Sequence, residues 1–416
     1  LIVSRHPIVY CIDSTVSNFN MSSSSSDQPP VPLDVDPSSS SSASSPMDCP
    51  PLRWAVVGCG RVSHDFCQAL KFLPTQSVVA CATSNSKQRA EEFARRHDVP
   101  NSFGSYEDML SSSTVEFDIC YVGNAHSFRR ETGEMCLNAR KHVLLEKPFA
   151  CTVQDATYLV QLAKSKNLFL MEGLWTNFFP AVEKARQIVS NGGLGEIVQL
   201  SSDFNFYGAD SDDYPTGFIY QKELGGGAGL LVSPYCLAAA SNFLDGHPSK
   251  VRAVGQVDPT TGVELQAAVV MEYPPTSQDR PDKNYAKLPG QAVASLSFGF
   301  LCETAEETIV VGTKGRLKIH TPAHCPTRLT LELKATGRGQ VGKTITYDYP
   351  LPEDTPTIVD AGNWKYPNSA GFCYEAAAVA RCIAAGKTDC PQMPVEQTLK
   401  NLKLIEEIRE QLGVTS

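Results

Sequence analysis

The sequence predicts an α/β protein: a doubly wound parallel sheet in the first half of the chain, then an α+β part with a large open, mostly antiparallel sheet. Two observations carry this prediction. Between residues 52 and 171, apolar runs of strand length alternate with helical patterns. From residue 194 to residue 335, short runs that alternate with period 2 follow one another. We therefore divide the chain into residues 1–50, 51–173 and 174–416.

The composition indicates a globular protein and excludes several classes of partner. Of the 416 residues, 42% are hydrophobic and 19% are charged, and the net charge is −9. The sequence has no Lys/Arg stripe for nucleic acid or an anionic membrane and no apolar run of the ~20 residues that span a bilayer. The 14 cysteines include no Cys-x-x-Cys pair, so no metal site is predicted. They favour a reducing, cytoplasmic location, with an oxidising compartment left open.

Residues 1–50 are expected to be disordered. Pure serine runs and scattered prolines offer too little apolar surface to offset the entropy of ordering. We interpret residues 1–20 as upstream sequence in the same reading frame and Met21 as the natural start. A transit peptide is the alternative, but Arg5 is the only Lys or Arg in the segment, and its aspartates argue against import.

A glycine-rich turn connects the first predicted strand, residues 53–57, to the first helical pattern. The turn reads Gly58-Cys59-Gly60-Arg61-Val62-Ser63. Gly58 permits the tight turn, Gly60 lets the backbone approach a pyrophosphate, and Ser63 is small enough for close helix–strand packing. Phosphates would face the N-terminus of the following helix. The pattern predicts a dinucleotide-binding domain of the Rossmann type, with residues 58–62 in contact with the cofactor.

Polar and basic residues follow the second predicted strand, residues 77–82. An Asp or Glu at this point would bind the ribose 2′-hydroxyl of NAD, and the sequence has neither. Ser84 and Asn85 can donate hydrogen bonds, while Lys87 and Arg89 supply positive charge for a 2′-phosphate. We therefore predict NADP as the cofactor, with NAD left open. The alternative is that the two cations only begin a helix.

Two further predicted strands end in side chains that a ligand would meet. After residues 117–122 come Asn124 and His126, which we expect on the nicotinamide side, although a lone loop histidine is often structural. The strand at residues 143–145 ends in Glu146-Lys147-Pro148. Because ligands bind beyond the carboxyl ends of parallel strands, Glu146 and Lys147 are predicted to face cofactor or substrate. An ordinary surface ion pair is the alternative.

An aromatic cluster and a tyrosine complete the candidate site. Trp175, Phe178 and Phe179 follow the last strand of the first domain, where they either line a substrate pocket or form the interdomain core. Tyr235 follows Gly225-Gly226-Gly227 on a predicted helix. A nearby ammonium would lower the pKa of this phenol, and a Lys–Tyr pair suits proton transfer between alcohol and carbonyl. Packing is the alternative role for the tyrosine.

Together these motifs resemble the glucose–fructose oxidoreductase (Gfo/Idh/MocA) family of NAD(P)-dependent dehydrogenases. The match covers residues 52–416 and rests on Gly58-Cys59-Gly60, Glu146-Lys147-Pro148, Gly225-Gly226-Gly227 with Tyr235, and Gly312-Thr313-Lys314-Gly315. The resemblance implies that Lys147 positions the substrate and that Tyr235 is the acid/base. It also implies a homodimer through the outer face of the open sheet. The implied reaction is NADP-dependent oxidation of a CH–OH group in a cyclic trans-diol or an aldose such as D-xylose.

Two positions depart from the family pattern. Leu231 stands where the family has an Asp four residues before the tyrosine, so a carboxylate for a sugar or diol hydroxyl is missing. Arg129 stands where the family's loop has a second His, and Pro234 falls directly before Tyr235. These departures leave the substrate open. They also support an alternative function, an NADP-binding regulatory or sensor protein with lost or altered catalysis.

Overall fold

The structure, a computed structural model, describes residues 45, 47–208, 212–274, 291–335, 337 and 341–414. The predicted disorder of residues 1–50 therefore falls almost wholly outside the described residues. Within the described ranges, no single helix is long and apolar enough to cross a membrane. One bent pair, Lys222–Leu231 with Ser233–Phe243, meets the length and hydropathy requirement when its two parts are taken together.

The first half of the chain forms the predicted parallel sheet. Its strands are β1 (Leu52–Val57), β2 (Gln76–Ala82), β3 (Asn101–Phe103), β4 (Ile119–Val122), β5 (His142–Glu146) and β6 (Leu170–Gly173). They lie in the order β3-β2-β1-β4-β5-β6, and every neighbouring pair is parallel. Val56, Cys120 and Leu144 are fully buried because helices cover both faces. The strand order reverses at β1 and β4, which opens a crevice at their carboxyl ends.

Five described helices belong to this half: α1 (Arg61–Leu70), α2 (Lys87–His97), α3 (Tyr106–Ser111), α4 (Arg129–Asn138) and α5 (Val153–Lys166). Three of them begin at a side chain that accepts a hydrogen bond from a backbone N–H three residues further on. These N-caps are Ser86, Ser105 and Thr152. The caps fix where α2, α3 and α5 begin.

The second half forms the predicted open sheet. Its strands are β7 (Ile197–Asn205), β8 (Lys250–Val257), β9 (Glu264–Tyr273), β10 (Ala292–Gly299), β11 (Thr308–Gly312), β12 (Gly315–Ile319), β13 (Arg328–Leu333) and β14 (Lys343–Asp348). Their order is β14-β13-β12-β11-β7-β10-β9-β8. Among these described strands, β7 and β10 pair in parallel, and the other neighbours are antiparallel. The sheet is mostly antiparallel, as predicted.

The inner face of this second sheet is covered and its outer face is open. The described helices of this half are α6 (Pro180–Ser190), α7 (Ala228–Leu231), α8 (Ser233–Phe243), α9 (Pro356–Ala361), α10 (Phe372–Ala384) and α11 (Val395–Gln411). Helix α8 packs on β7 and β10, and α11 packs on α8 and β8. Inward side chains such as Leu200 and Leu296 are therefore buried, whereas the outer face presents exposed valines on β8, β9 and β10.

The C-terminal part of the chain returns to the first sheet. Helix α10 packs against α1, and the Phe372 ring meets Phe66 edge-on at 6.0 Å between centroids. Before α10, the Asp65 carboxylate accepts hydrogen bonds from the backbone N–H groups of Lys365 and Tyr366, both at 2.9 Å, and from nearby Ser369 Oγ at 2.6 Å. Helix α1, which starts the cofactor site, is thus held by residues about 300 positions further along the chain.

Candidate active site

The glycine turn after β1 leaves room for a pyrophosphate. Gly58 has φ +93°, and a Cβ at this position would lie 2.8 Å from the backbone N of Asn124, so only glycine fits. At Gly60, the nearest atom to such a Cβ is 3.8 Å away. Ser63 Oγ donates a hydrogen bond to Gly58 O at 2.5 Å, which holds the turn against α1. Among the described contacts no side chain caps α1, so its first N–H groups can bind phosphate.

The remaining residues of this turn surround the same space. Cys59 Sγ donates to Ala82 O at 3.5 Å, which ties the turn to the end of β2. Arg61 is exposed, and its guanidinium carbon lies 5.5 Å from the ring centre of Tyr366. Val62 is partly buried and packs against the core. Of the residues at positions 59, 61 and 62, Arg61 is therefore the one with an exposed charge, and the contact of all three with the cofactor stays a prediction.

The ribose end of the site lies beyond β2. Ser84 and Asn85 are exposed there. Tyr106 hydrogen-bonds Ser84 and is therefore a neighbour of the site that the sequence analysis did not select. Burial raises the pKa of Tyr106, and this hydrogen bond opposes the rise. Lys87 Nζ donates to the backbone of β3 and turns away. Arg89 is exposed on the first turn of α2, which makes it the better-placed cation for a 2′-phosphate.

The loop after β4 joins the two halves of the chain. Asn124 Nδ2 donates to Thr132 Oγ1 at 2.8 Å. His126 Nε2 lies 2.8 Å from Gly225 O in the glycine run of the second half. A carbonyl only accepts, so Nε2 carries the proton. Burial, and then the charge of Arg129, lowers the pKa of His126 to about 3, which keeps the ring neutral. A nicotinamide contact for Asn124 and His126 stays a prediction.

Arg129 stabilises the end of β5 by hydrogen bonds to the residues on both sides of Lys147. Its Nη1 donates to Glu146 O and to Pro148 O, both at 2.7 Å, and its Nε donates to Asn124 O at 3.1 Å. The residue is only 5% exposed, and the peptide bond between Lys147 and Pro148 is cis. One guanidinium thus satisfies backbone carbonyls from two loops. The sequence analysis noted Arg129 only as a departure from the family pattern and missed this role.

Glu146 lies behind Lys147 and positions it. Its Oε1 accepts a hydrogen bond from Tyr121 OH at 2.9 Å, and its Oε2 accepts one from the Lys147 N–H at 3.0 Å. Burial raises the pKa of Glu146, while the charges of Arg129 and Lys147 oppose the rise. Because the residue is 3% exposed, its carboxylate faces the protein interior. Direct cofactor contact by Glu146 stays a prediction.

The structure brings Lys147 and Tyr235 together. Lys147 Nζ lies 4.5 Å from the centre of the Tyr235 ring and donates a hydrogen bond to Leu231 O at 2.9 Å. Burial lowers the pKa of Lys147 to about 8. The strand end after β5 and the first turn of α8 therefore place an amine that titrates near neutral pH against a tyrosine.

The expected lowering of the Tyr235 pKa is not observed. Burial raises the pKa of Tyr235 well above that of an ordinary phenol, and the charge of Glu146 adds to the rise. A hydrogen bond with Trp175 acts in the opposite direction. The Lys147 ammonium lies over the face of the ring, where the π system attracts it. The prediction of a lowered pKa for Tyr235 was therefore wrong, because burial decides the direction of the shift.

A bend between α7 and α8 sets the position of Tyr235. Pro234 lies in the first turn of α8, where a residue without an N–H group is tolerated. The Tyr235 N–H donates to Val232 O at 3.2 Å. Leu231 precedes the bend, its side chain packs against the core, and its carbonyl accepts the hydrogen bond from Lys147. Lys147 thus keeps an oxygen partner at the position where the family carboxylate is missing.

The aromatic residues after β6 are buried. The Trp175 ring is stacked on Phe372 of α10 with 4.2 Å between centroids, and Phe178 and Phe179 are 2% and 0% exposed. This packing favours the interdomain-core interpretation for Phe178 and Phe179. Trp175 also borders the site, because it hydrogen-bonds Tyr235. Substrate contact by Trp175 and Phe178 stays a prediction.

A histidine that the sequence analysis did not select also lies beside Tyr235. The ring centre of His324 is 5.1 Å from that of Tyr235, and its Nδ1 hydrogen-bonds Glu306 Oε1. His324 lies between β12 and β13, where a single histidine has no spacing signal that would mark it. Within the described ranges, no group of three or more His, Cys, Asp or Glu side chains is arranged to hold a metal ion.

Two family models and many curated proteins match this chain. The model described as "Oxidoreductase family, NAD-binding Rossmann fold" matches residues 52–174, and "GFO/IDH/MocA C-terminal domain" matches residues 182–318. Trans-1,2-dihydrobenzene-1,2-diol dehydrogenases of Sus scrofa and Homo sapiens are each 31% identical over 366 residues, which cover 88% of this chain and 98% of theirs. The chain belongs to the GFO/IDH/MocA oxidoreductase family. The predicted family, fold class, enzyme class and dinucleotide-binding domain are thereby confirmed.

Solved structures share the fold of this GFO/IDH/MocA oxidoreductase. A levoglucosan dehydrogenase in complex with NADH and levoglucosan has a TM-score of 0.71 at 18% identity, covering 87% of this chain and 97% of that one. An aldose-aldose oxidoreductase from Caulobacter crescentus has a TM-score of 0.68 at 21% identity, with the same coverage. A 3-ketoreductase from Actinomadura kijaniata, in complex with NADP and TDP-benzene, has a TM-score of 0.67 at 22% identity and covers 87% and 98%.

Proposed function

We propose that this oxidoreductase oxidises a CH–OH group of a cyclic trans-diol, or of an aldose such as D-xylose, with NADP as electron acceptor. The observation that carries the proposal is the contact between Lys147 and Tyr235 at the carboxyl end of β5, the strand next to β4 in the sheet. The names of the curated relatives support a diol substrate, and the solved sugar oxidoreductases support an aldose. A bound nicotinamide would supply the hydride chemistry.

Lys147 is the better candidate for the proton acceptor of the pair. A pKa of about 8 leaves part of its amine neutral near neutral pH, whereas the raised pKa of Tyr235 keeps the phenol protonated. A general base works best when its pKa is close to the working pH. In this assignment the Tyr235 hydroxyl hydrogen-bonds the substrate oxygen, and the Lys147 amine accepts the proton that the substrate hydroxyl loses. The residues are those predicted from the sequence, but their roles are exchanged.

A second candidate function is an NADP-binding regulatory or sensor protein. The observations that favour it are Leu231 in place of a carboxylate and Arg129 in place of a second loop histidine. The Leu231→Asp variant discriminates between the two functions. A wild-type protein that binds NADPH but oxidises neither diols nor pentoses, together with a Leu231→Asp variant that does, would favour the sensor.

The first experiment is an NADPH fluorescence titration of the purified protein, followed by NADP reduction with D-xylose and with a trans-dihydrodiol. The expected result is NADPH binding together with turnover of one of the two compounds. The compound that is oxidised shows whether the substrate is an aldose or a cyclic diol. Binding without turnover of both compounds would contradict the proposed reaction and favour the sensor. Absence of NADPH binding would contradict both functions.

A homodimer through the outer face of the second sheet is part of the proposal. Val254, Val270 and Val293 lie on the adjacent strands β8, β9 and β10 and are 72%, 50% and 40% exposed. Neighbouring exposed valines on a sheet are typical of a protein interface. Light scattering should show a dimer for the wild type and a monomer for Val270→Glu. Val359→Glu is the matched control, since Val359 is 63% exposed on α9 rather than on the sheet.

We also propose that the protein is located in the cytoplasm. Thirteen cysteines in the described part of the chain are free thiols, as is usual in a reducing compartment. Fractionation of cells that express the tagged full-length chain tests this location, and recovery of the protein in an organelle fraction would contradict it.

A further inference from the structure

We propose that His324, oriented by Glu306, accepts a hydrogen bond from a second hydroxyl group of the substrate beside Tyr235. The inference rests on the proposed function and deepens it by naming the residue that recognises the second hydroxyl group of a vicinal diol or polyol. His324 would take the role of the carboxylate that is missing at Leu231. Three features of the structure support it: the way Glu306 is held, the tautomer of His324, and the cavity that both residues border.

Glu306 is fixed with its side chain directed at His324. Its φ of +53° lies in the left-handed region that residues other than glycine usually avoid. Two hydrogen bonds stabilise this conformation: the Glu306 N–H donates to Asp203 Oδ2 at 2.7 Å, and the Ala323 N–H donates to Glu306 O at 3.0 Å. The second bond joins the loop of Glu306 to the loop of His324. Strained backbone that is held by its surroundings is characteristic of functional sites.

The imidazole of His324 is fixed in both position and tautomer. It stacks on Phe204 with 4.5 Å between centroids and 8° between the planes, and Tyr235 lies on another side. Thr176 Oγ1 donates to His324 O, which ties the loop to the segment after β6. The hydrogen bond to the Glu306 carboxylate places the proton of a neutral ring on Nδ1. The lone pair of Nε2 is then available as an acceptor.

The present neighbour of Nε2 is one that a substrate can replace. Cys325 Sγ lies 3.3 Å from His324 Nε2 and also 3.5 Å from Pro367 O. A thiol has one hydrogen and is a weak donor, so it cannot serve both acceptors. Burial raises the pKa of Cys325 well above its usual value, so the thiol stays neutral. A substrate hydroxyl is a stronger donor to Nε2, and the thiol keeps Pro367 O as its partner.

A small cavity borders His324 and Tyr235, with space on the order of one hydroxyl group. Its lining includes Thr176, Asp203, Phe204, Tyr235, Asn242 and His324. Aromatic faces combined with a few polar atoms are typical of small-molecule sites. The Asp203 carboxylate in this lining is already engaged by the backbone N–H groups of Glu306 and Glu307. Nε2 of His324 is a further acceptor on a ring that lies beside Tyr235.

The test compares trans-1,2-cyclohexanediol with cyclohexanol, which lacks the second hydroxyl, in NADP-dependent oxidation. In the His324→Leu variant, kcat/KM for the diol should fall about tenfold through KM, and kcat/KM for cyclohexanol should stay within about twofold of wild type, since a single neutral hydrogen bond is lost. His324→Gln keeps an amide acceptor and should restore part of the diol preference. His320→Leu is the matched control, because His320 Nε2 bonds Thr330 Oγ1 at 2.9 Å on β13.

The outcomes separate this inference from the function on which it rests. Equal losses for diol and mono-alcohol in the His324 variants, or an unchanged diol preference, would overturn the inference and leave the dehydrogenase function standing. A wild type that binds no NADPH and oxidises neither compound would overturn both proposals. Thermal unfolding of each variant identifies a folding defect, and His324→Gln, which stays polar and similar in size, decides the question if His324→Leu does not fold.

Discussion

The ammonium of Lys147 lies over the face of the Tyr235 ring, 4.5 Å from its centre, and its hydrogen bond goes to a backbone carbonyl rather than to the phenol. The pKa values of the two groups shift in opposite directions. The pKa of Lys147 falls to about 8, and that of Tyr235 rises well above its ordinary value. In the proposed reaction Lys147 therefore changes protonation state, and Tyr235 holds the substrate oxygen.

Replacing Lys147 by Met should remove turnover and preserve cofactor binding. Loss of a proton-transfer group lowers kcat by a factor on the order of 100 or more, whereas the glycine turn at residues 58–63 is unchanged. NADPH titration and NADP reduction measure the two effects. Lys141→Met is the matched control, since Lys141 Nζ also lies over a ring, that of Phe117 at 4.3 Å, next to the opposite end of β5. Turnover like wild type in the Lys147→Met variant would contradict the assignment.

The rate of oxidation should depend on pH through Lys147. The folded pKa of this amine is lowered from 10.5 to about 8, so its proton-accepting neutral form increases as the pH rises toward that value. The kcat/KM for oxidation should rise about tenfold per pH unit below the pKa and level off above it, and the reverse reaction should show the opposite slope. A pH profile in both directions measures this. An oxidation rate that falls as pH rises would exclude the neutral amine as acceptor.

Removal of the Arg129 guanidinium should destabilise the fold. Arg129→Met leaves the buried carbonyls of Glu146 and Pro148 without their donor, which should cost about 2–4 kcal/mol of the free energy of unfolding. Arg130→Met is the matched control. Arg130 makes partly exposed ion pairs with Glu134 and Asp155, so its loss should cost less than about 1 kcal/mol. Denaturant unfolding compares the two variants, and equal losses would contradict the role given to Arg129.

The choice between NADP and NAD should depend on Arg89. Arg89→Ala should lower the ratio of NADP to NAD affinity roughly tenfold, because a charge-assisted hydrogen bond to the 2′-phosphate is lost. Lys87→Ala should change this ratio much less, since Lys87 Nζ donates to the backbone of β3. Titrations with both cofactors measure the ratio. A larger effect at Lys87 than at Arg89 would show that the side chain of Lys87 turns back toward the ribose.

The sequence predicts the fold well where burial is encoded locally. The mainly apolar runs that end at Val57, Val122 and Leu145 became buried parallel strands, since such runs are stable in the middle of a sheet that helices cover on both faces. Strand β14 was not predicted because Lys343–Asp348 alternates around exposed polar residues and pairs only at the edge of the sheet. Strand β3 has three residues and also lies at an edge, so its existence depends on β2 rather than on its own pattern.

The candidate site could be predicted where a motif lies at a strand end. Lys147 follows β5 and Tyr235 lies in the first turn of α8, so the motifs predict that both residues lie near the ligand site. The role of Arg129 depends on two loop carbonyls, and that of His324 depends on Glu306, which lies across a strand pair. Such contacts between distant segments leave no spacing in the sequence. The direction of the Tyr235 pKa shift could not be predicted from the sequence either, because it depends on how deeply the packing buries the ring.

The return of α10 to α1 has a consequence for synthesis on the ribosome. The nucleotide-binding half emerges first from the ribosome. The partners of its Asp65 carboxylate, which are Lys365, Tyr366 and Ser369, are synthesised about 300 residues later, and so is Phe372, which packs on Phe66. A nascent chain halted before this point would expose the apolar side of α1 that α10 later covers. The half that carries the clearest sequence signal thus completes its packing only after Phe372 has been synthesised.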